Sequence, residues 1–198
     1  MLKQCSNTRR ILTQSLCAGI LISVGCTVYL SVNDKYIGAF LFAIALFTIC
    51  YKKYNLFTGK VGYLVSHRTT WKEVVITLVA NILGVVLTGV LLASCLPELS
   101  DKALLLVHGK LEQDYVETFG RALFCGVLMY TAVDGFNCYE NVLFVFLSVV
   151  VFILCGFEHS IANIGYYAIA NVFPIVDIVI VVLGNTLGSW IIPILEGI

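Results

Sequence analysis

The feature that most constrains the fold is a series of long apolar stretches separated by short polar segments. A helix needs about 20 apolar residues to cross the hydrocarbon core of a bilayer. The chain is 60% hydrophobic and only 12% charged, whereas a soluble domain is about 45–50% apolar and about 25% charged. These values predict an all-α, multi-pass integral membrane protein. Six transmembrane segments are predicted, at residues 11–30, 37–50 with a short helix after them, 74–96, 119–133, 142–170 and 173–195.

Two of the six segments, the second and the fifth, are interrupted by polar and small residues. Residues 37–50 are too few for a comfortable span, and the chain resumes with LFTG at residues 56–59. The fifth segment contains GFEHSIAN at residues 156–163, so Glu158 and His159 lie deep in an apolar run. An ionisable pair at that depth is costly and therefore suggests a function. Helices broken near the midplane are typical of transport sites.

The two halves of the chain carry matching motifs. Asn81-x-x-Gly84 lies in the third segment and Asn185-x-x-Gly188 in the sixth, and each half also has one broken helix. Small residues that let helices pack closely would explain the NxxG pairs but not the paired breaks. We therefore predict an inverted repeat, because three spans per half reverse the second copy. The predicted repeats are residues 11–96 and 119–195, in one transmembrane domain over residues 1–198.

The distribution of charge predicts the orientation. Basic residues precede the first segment and lie between the second and third, whereas residues 98–117, predicted to hold a small surface helix, are mainly acidic. Positive loops remain in the cytoplasm, so both termini are predicted to be cytoplasmic in a cell membrane. The net charge is zero, which gives no indication of a nucleic-acid partner.

The eight cysteines do not indicate a cofactor or a metal site. None forms a CxxC pair, and most lie within apolar runs, where cysteine behaves as a small hydrophobic residue. Cys155 and His159 are four residues apart and could present a thiol and a base, but no oxyanion device or third partner is visible. A metal site formed by Cys155, Glu158 and His159 lacks a second ligand cluster. We predict neither an enzyme nor a cofactor.

These motifs resemble those of the formate/nitrite transporter family. GFEHSIAN is similar to the signature of its fifth span, and residues 56–59 resemble the LFTG break of its second span. The two NxxG motifs resemble those of its third and sixth spans. The resemblance implies an aquaporin-like inverted repeat in a homopentamer, with one pore per protomer. It also implies transport of a small monovalent anion or its conjugate acid, such as formate, nitrite or hydrosulfide.

The resemblance also assigns the candidate site residues. His159 is the central histidine, and Thr58 is the threonine at the second-span break. Phe42, Leu46 and Phe152 form the apolar rings of the pore, and Asn163 helps to hold the histidine region. The remaining motif residues are structural: Leu56, Phe57, Gly59, Asn81, Gly84, Glu158, Asn185 and Gly188. Glu158 would point about 100° from His159 on a helix and is expected to brace a loop or a subunit contact instead of lining the pore.

His159 suggests proton-assisted transport, because histidine exchanges protons near neutral pH. An anion would receive a proton from or via His159 between the apolar rings and cross as the neutral acid, which pays less for desolvation. Asn141 stands where the family has a lysine at the cytoplasmic start of the fifth span, which predicts weaker anion attraction at that mouth. The alternatives are a structural or assembly membrane protein, or a channel for another small neutral solute.

Overall fold

The computed structural model describes residues 2–197, with side chains from Asn7 onward, and this part of the chain is all-helical. The helices are α1 (Leu2–Ser31), α2 (Lys35–Tyr51), α3 (Phe57–Lys60), α4 (Trp71–Cys95), α5 (Glu98–Leu111), α6 (Tyr115–Tyr139), α7 (Leu143–Leu154), α8 (Ser160–Ala170) and α9 (Ile175–Glu196). A 3₁₀ turn, Val61–Leu64, follows α3.

Within the described residues, four helices are long and apolar enough to cross a membrane, and two shorter apolar helices accompany them. The long ones are α1 from residue 7, α4, α6 and α9, and the shorter ones are α2 and α7. The second and fifth segments are therefore broken, as predicted: α2 is followed by α3 and the 3₁₀ turn, and α7 by α8. The fourth span is longer than predicted, because Asp114 caps α6 by accepting hydrogen bonds from Val116 and Glu117.

Two pairs of long helices, α1 with α4 and α6 with α9, form the framework of the protein. Glycines allow the close approach within each pair. A Cβ atom on Gly84 would lie 2.5 Å from the carbonyl oxygen of Leu16, and one on Gly126 would lie 2.9 Å from the backbone nitrogen of Ser189. Real Cβ atoms do not approach backbone atoms this closely. Any larger residue at Gly84 or Gly126 would therefore push the paired helices apart.

The short helices after the breaks pack across the framework. α8 packs against α1 and α4, whereas α3 packs against α6 and the 3₁₀ turn packs against α9. Each short segment therefore lies against the long pair from the other half of the chain. This arrangement brings the broken ends of the second and fifth segments together inside the protein, where Thr58 and His159 are both buried.

The polar segment after α4 is more than a surface helix. One face of α5 is buried through Leu99, Ala103 and Val107, and α5 packs against α8. Its opposite face is exposed, with Leu105 at 77% relative exposure. The apolar face explains why this helix lies on the bundle and carries side chains towards the broken fifth segment.

Candidate functional site

The break in the fifth segment is produced by a glycine. Gly156 follows α7 with a φ of +67°, a left-handed conformation in which other residues are strained. Residues 157–159 are then non-helical, and His159 is the N-cap residue of α8. Its Nδ1 atom accepts a hydrogen bond from the backbone N–H of Ala162 at 3.1 Å. His159 therefore fixes the beginning of α8.

The same histidine joins the two broken segments. Its Nε2 atom lies 2.9 Å from Oγ1 of Thr58, and both side chains are at most 3% exposed. Because Nδ1 already accepts from a backbone N–H, the proton of neutral His159 is on Nε2 and is donated to the Thr58 hydroxyl oxygen. Thr58 and His159 thus form a polar pair in an otherwise apolar region.

Two buried asparagines hold the breaks in equivalent ways. Asn81 accepts a hydrogen bond from the N–H of Phe57, the first residue of α3, at 2.8 Å. Asn185 accepts one from the N–H of Ser160, the first residue of α8, also at 2.8 Å. Each asparagine thus satisfies an N–H at the start of a short helix that has no partner within that helix.

The side-chain amides of the same asparagines complete the pattern. The Nδ2 atom of Asn81 donates to the carbonyls of Ser15 at 2.7 Å and Asn55 at 3.0 Å. The Nδ2 atom of Asn185 donates to the carbonyls of Ala122 and Glu158, both at 2.8 Å. Each asparagine therefore ties a broken segment to a long helix, α1 in one half and α6 in the other.

Aromatic and aliphatic side chains surround the polar pair. The ring of Phe152 lies 5.6 Å from that of His159 and 6.0 Å from that of Phe42, measured between centroids. The Phe42–Phe152 pair is nearly perpendicular, a favourable aromatic arrangement. Phe42 and Leu46 are both 2% exposed. The structure therefore brings Phe42, Phe152 and His159 together, with Leu46 one helical turn from Phe42 in the same core.

Two cavities approach this region from opposite sides. The α5-side cavity, about 200 Å³, ends at Phe152 and His159. The terminal-side cavity, about 460 Å³, ends at Leu56 and Gly59. Phe42, Leu46 and Thr58 line neither cavity, but Thr58 bonds to His159 and Phe42 packs on Phe152, which both line the α5-side cavity. We call these five residues, together with Leu56, the neck. Leu56, predicted to be a structural motif residue, is one of the apolar residues that line the terminal-side cavity.

Both ends of the described chain lie on the same side of the protein as the terminal-side cavity. Asn7 of α1 donates to Glu73, which lines that cavity, at 3.4 Å. Near the other end of the chain, Trp190 of α9 donates from Nε1 to the carbonyl of Val61 at 3.1 Å, directly after α3. The start of α1 and the end of α9 therefore lie on the same face.

Glu158 lies in the wall of the α5-side cavity, and the reasoning that predicted its direction was wrong. A separation of 100° applies to neighbours on a helix, but Glu158 lies in the non-helical segment before α8. Its carboxylate accepts hydrogen bonds from Lys110 at 2.5 Å, Gln113 at 3.2 Å and Asn163 at 2.7 Å. Asn163 therefore contacts Glu158 by its side chain and His159 only through its backbone N–H, at 2.8 Å from the histidine carbonyl.

Comparison with known proteins gives the family. The family model described as "Formate/nitrite transporter" matches residues 1–196, almost the whole chain. The chain belongs to this family. The resemblance seen in the sequence is thereby confirmed, and with it a multi-pass membrane protein of the transporter class, not an enzyme.

Relatives and solved structures agree with this membership. The chain is 25% identical over 195 residues to "Uncharacterized transporter YwcJ" of Bacillus subtilis (strain 168), covering 83% of this chain and 75% of the relative. It superposes on "Pentameric formate channel with formate bound" with a TM-score of 0.83, 20% identity and coverage of 97% and 96% of the two chains. For "FNT family ion channel" the TM-score is 0.78, with 20% identity and 95% and 87% coverage. These similarities confirm the all-helical channel fold.

The structure of this formate/nitrite transporter family member also shows which basic side chains line the candidate site. Asn141 is exposed, and its side-chain oxygen accepts a hydrogen bond from the N–H of Leu143, the first residue of α7. Lys35, Lys110 and Arg121, none of which the sequence analysis singled out, line the α5-side cavity instead. No sequence signal pairs Lys110 with Glu158, because the two lie 48 residues apart and meet only when α5 packs on α8.

No metal centre emerges from the same region. Within the described residues, no group of three or more His, Cys, Asp and Glu side chains is placed to hold an ion. Cys155 is exposed beside the break, whereas His159 uses both ring nitrogens within the protein. The chemistry available at the site is therefore that of hydrogen bonding, charge and proton exchange.

Proposed function

We propose that this protein is a channel or transporter for a small monovalent anion or its conjugate weak acid, of the formate, nitrite or hydrosulfide class. The observation that carries the proposal is the pair of cavities that end on opposite sides of a short apolar neck containing His159 and Thr58. Family membership supports the class of solute, and one neighbour in fold is described as a formate channel with formate bound.

The neck favours a neutral form of the solute. Phe42, Leu46, Phe152 and Leu56 are each at most 5% exposed and make the neck apolar. Moving a bare ion into an apolar environment costs tens of kcal/mol in an idealised Born estimate, whereas a neutral polar group costs roughly 2–7 kcal/mol. A weak acid that gains a proton before the neck therefore avoids most of the barrier.

His159 and Thr58 supply the polar contact at which this protonation takes place. With Nδ1 occupied by the N–H of Ala162, a second proton on the ring would break the cap of α8. We therefore assign His159 the role of an Nε2–H donor that holds the oxyanion together with the Thr58 hydroxyl. The proton comes from a hydronium ion of the solvent in the α5-side cavity and bonds to the held anion, while His159 and Thr58 keep their own protons.

We also propose that the two halves form an inverted repeat, over about residues 11–96 and 119–195 of a single transmembrane domain. The equivalent hydrogen bonds of Asn81 and Asn185 support it, as does the packing of each short helix on the opposite long pair. A chain duplicated from a three-span unit would produce both features.

Orientation and assembly complete the proposal. Both termini are cytoplasmic, which is supported by their common face and by the basic residues around α1 and before α4. The protein forms a homopentamer in the bilayer, supported by a neighbour in fold described as pentameric. Exposed apolar side chains such as Leu87 (68%) and Leu147 (60%) supply surface for lipid and for neighbouring protomers.

Solute flux into proteoliposomes tests the function. Formate, nitrite and hydrosulfide are compared with and without an inward proton gradient. We expect flux of at least one of them to rise with external acidity, and the His159→Phe variant to lose that dependence. Absence of flux for all three would overturn the proposal and favour a structural protein or a channel for another solute.

A further inference from the structure

We propose that a third cavity binds a primary ammonium group, carried either by a lipid headgroup or by a free amine. The cavity has a volume of about 260 Å³ and lies between the end of α5 and the starts of α6 and α9. We call it the Asp177 cavity, after the carboxylate in its lining. Its proposed ligand is a cation, so the inference stands apart from the transport of anions.

Asp177 supplies the negative charge of this cavity. It lies in the first turn of α9, is only 6% exposed, and accepts a hydrogen bond from the hydroxyl of Tyr167. Among the residues that the structure describes, no basic nitrogen lies within 4.0 Å of the Asp177 carboxylate, and Lys110 is already paired with Glu158 at 2.5 Å. Burying a carboxylate without a partner of opposite charge is costly. A cation in the Asp177 cavity would remove that cost.

Gln113 supplies a second acceptor. Its Nε2 atom donates to the carboxylate of Glu158 at 3.2 Å, whereas its Oε1 atom is buried and has no hydrogen-bond partner within the described part of the chain. Buried polar atoms are normally hydrogen-bonded, so this oxygen needs a donor. Because the side chain of Gln113 lines the Asp177 cavity, a donor bound there would satisfy it.

A carboxylate and an amide oxygen in an apolar surrounding favour an ammonium group over a metal ion. A calcium ion needs about six to eight oxygen ligands, more than these two side chains offer. A primary ammonium carries a positive charge and three N–H donors, and its hydrogen bonds to a carboxylate are charge-assisted. The remaining lining includes the apolar side chains of Leu111, Pro174 and Val176, which would contact the carbon atoms next to the nitrogen.

The position of the cavity makes a lipid headgroup accessible to it. Tyr115 is the first residue of α6 and Ile175 the first of α9, and both helices are long and apolar enough to cross a membrane. The ends of spanning helices lie at the level of the lipid headgroups. Ile175 and Val176 are 67% and 57% exposed beside the carboxylate. The ammonium of phosphatidylethanolamine could therefore enter the cavity while its acyl chains stay in the bilayer.

The test measures how butylammonium chloride protects the purified protein, in maltoside micelles, against unfolding by a denaturing detergent. A ligand that binds only the folded state raises the midpoint of unfolding in a saturable way. We expect D177N to raise the half-saturating butylammonium concentration about tenfold, because a neutral hydrogen bond replaces a charge-assisted one. Asparagine keeps an acceptor for the hydroxyl of Tyr167. The matched control is D114N: Asp114 also precedes a spanning helix, but it is exposed and does not line the cavity, so this variant should behave like the wild type.

A second variant and two comparison salts make the test independent of the buried carboxylate. V176F places a larger side chain in the lining of the cavity and should abolish protection without changing the charge. Sodium chloride and tetramethylammonium chloride supply cations without N–H donors, so at equal concentration they should protect the wild type much less than butylammonium does.

Native mass spectrometry with equal amounts of phosphatidylethanolamine and phosphatidylcholine identifies the source of the ammonium group. Preferential retention of phosphatidylethanolamine by the wild type, reduced in D177N, assigns the site to the lipid headgroup. Equal retention of the two lipids, together with protection by butylammonium, assigns it to a free amine. The proposal is overturned if butylammonium protects no better than the two comparison salts, if D177N and D114N respond alike, or if V176F is protected like the wild type. None of these results depends on whether the protein transports an anion.

Discussion

Replacement of Asn185 by alanine should destabilise the protein more than any other single asparagine change in the second half of the chain. The side chain makes three buried hydrogen bonds, all at 2.8 Å: it accepts from Ser160 and donates to the carbonyls of Ala122 and Glu158. A buried hydrogen bond contributes about 1 kcal/mol net, and a buried group left without a partner costs about 1–3 kcal/mol. We therefore expect a loss of about 3–5 kcal/mol in the free energy of unfolding.

Two further variants sharpen this prediction. Asn185→Asp keeps the acceptor for the N–H of Ser160 but places carboxylate oxygens against two carbonyls, so it should be at least as destabilising as alanine. Asn137→Ala removes one exposed hydrogen bond, from Nδ2 to the hydroxyl of Tyr63 at 3.0 Å, and should cost less than about 1 kcal/mol.

Unfolding by titration with a denaturing detergent, monitored on the purified protein in micelles, measures these differences. The reasoning is refuted if Asn185→Ala is no more destabilising than Asn137→Ala, or if Asn185→Asp is as stable as the wild type. Because Asn185 positions the start of α8, which carries His159, the alanine variant should also show reduced formate flux at temperatures where it remains folded.

Three other substitutions test separate parts of the site. Gly156→Ala should lower the free energy of unfolding by about 1–2 kcal/mol, because alanine is strained at a φ of +67°. Gly120→Ala, in a helix with open space around it, should be neutral or stabilising. Equal effects of the two substitutions in detergent unfolding would contradict the strain at Gly156. Thr58→Val should lower the free energy of unfolding by about 1–3 kcal/mol, because Nε2–H of His159 loses its buried acceptor, whereas Thr58→Ser keeps a hydroxyl and should retain most of the stability. A valine variant as stable as the serine variant would show that this hydrogen bond does not contribute to stability. Glu158→Gln should lower the free energy of unfolding by about 3 kcal/mol, because Lys110 loses its charged partner. Adding Lys110→Met to this variant should recover part of that loss. If the two single losses simply add in a double-mutant cycle, the two side chains do not stabilise each other.

The sequence predicts the breaks in the second and fifth segments, but not all of the side chains that contact the residues at these breaks. The paired NxxG motifs and the two interrupted apolar runs are local patterns, so the broken second and fifth segments and the all-helical fold could be predicted from them. Lys35, Lys110 and Arg121 could not, because long polar side chains next to a membrane span are ordinary surface residues until a helix end or a buried carboxylate comes into contact with them.

Helix-based reasoning also failed where the helix stops. The direction of Glu158 was predicted from helical periodicity, but Gly156 follows the end of the helix with a positive φ and residues 157–159 are non-helical. Leu56 was predicted to be a structural motif residue, and only the folded chain shows that it also lines the terminal-side cavity.

The central claim is that solute crosses the neck between the two cavities with the help of His159. The most direct measurement is formate influx into proteoliposomes at a fixed formate gradient, with the external pH varied, for the wild type, His159→Phe and the exposed-site control His108→Phe. We predict that influx rises with external acidity in the wild type and the control, and that this rise is lost in His159→Phe. An unchanged pH dependence in His159→Phe would contradict the account.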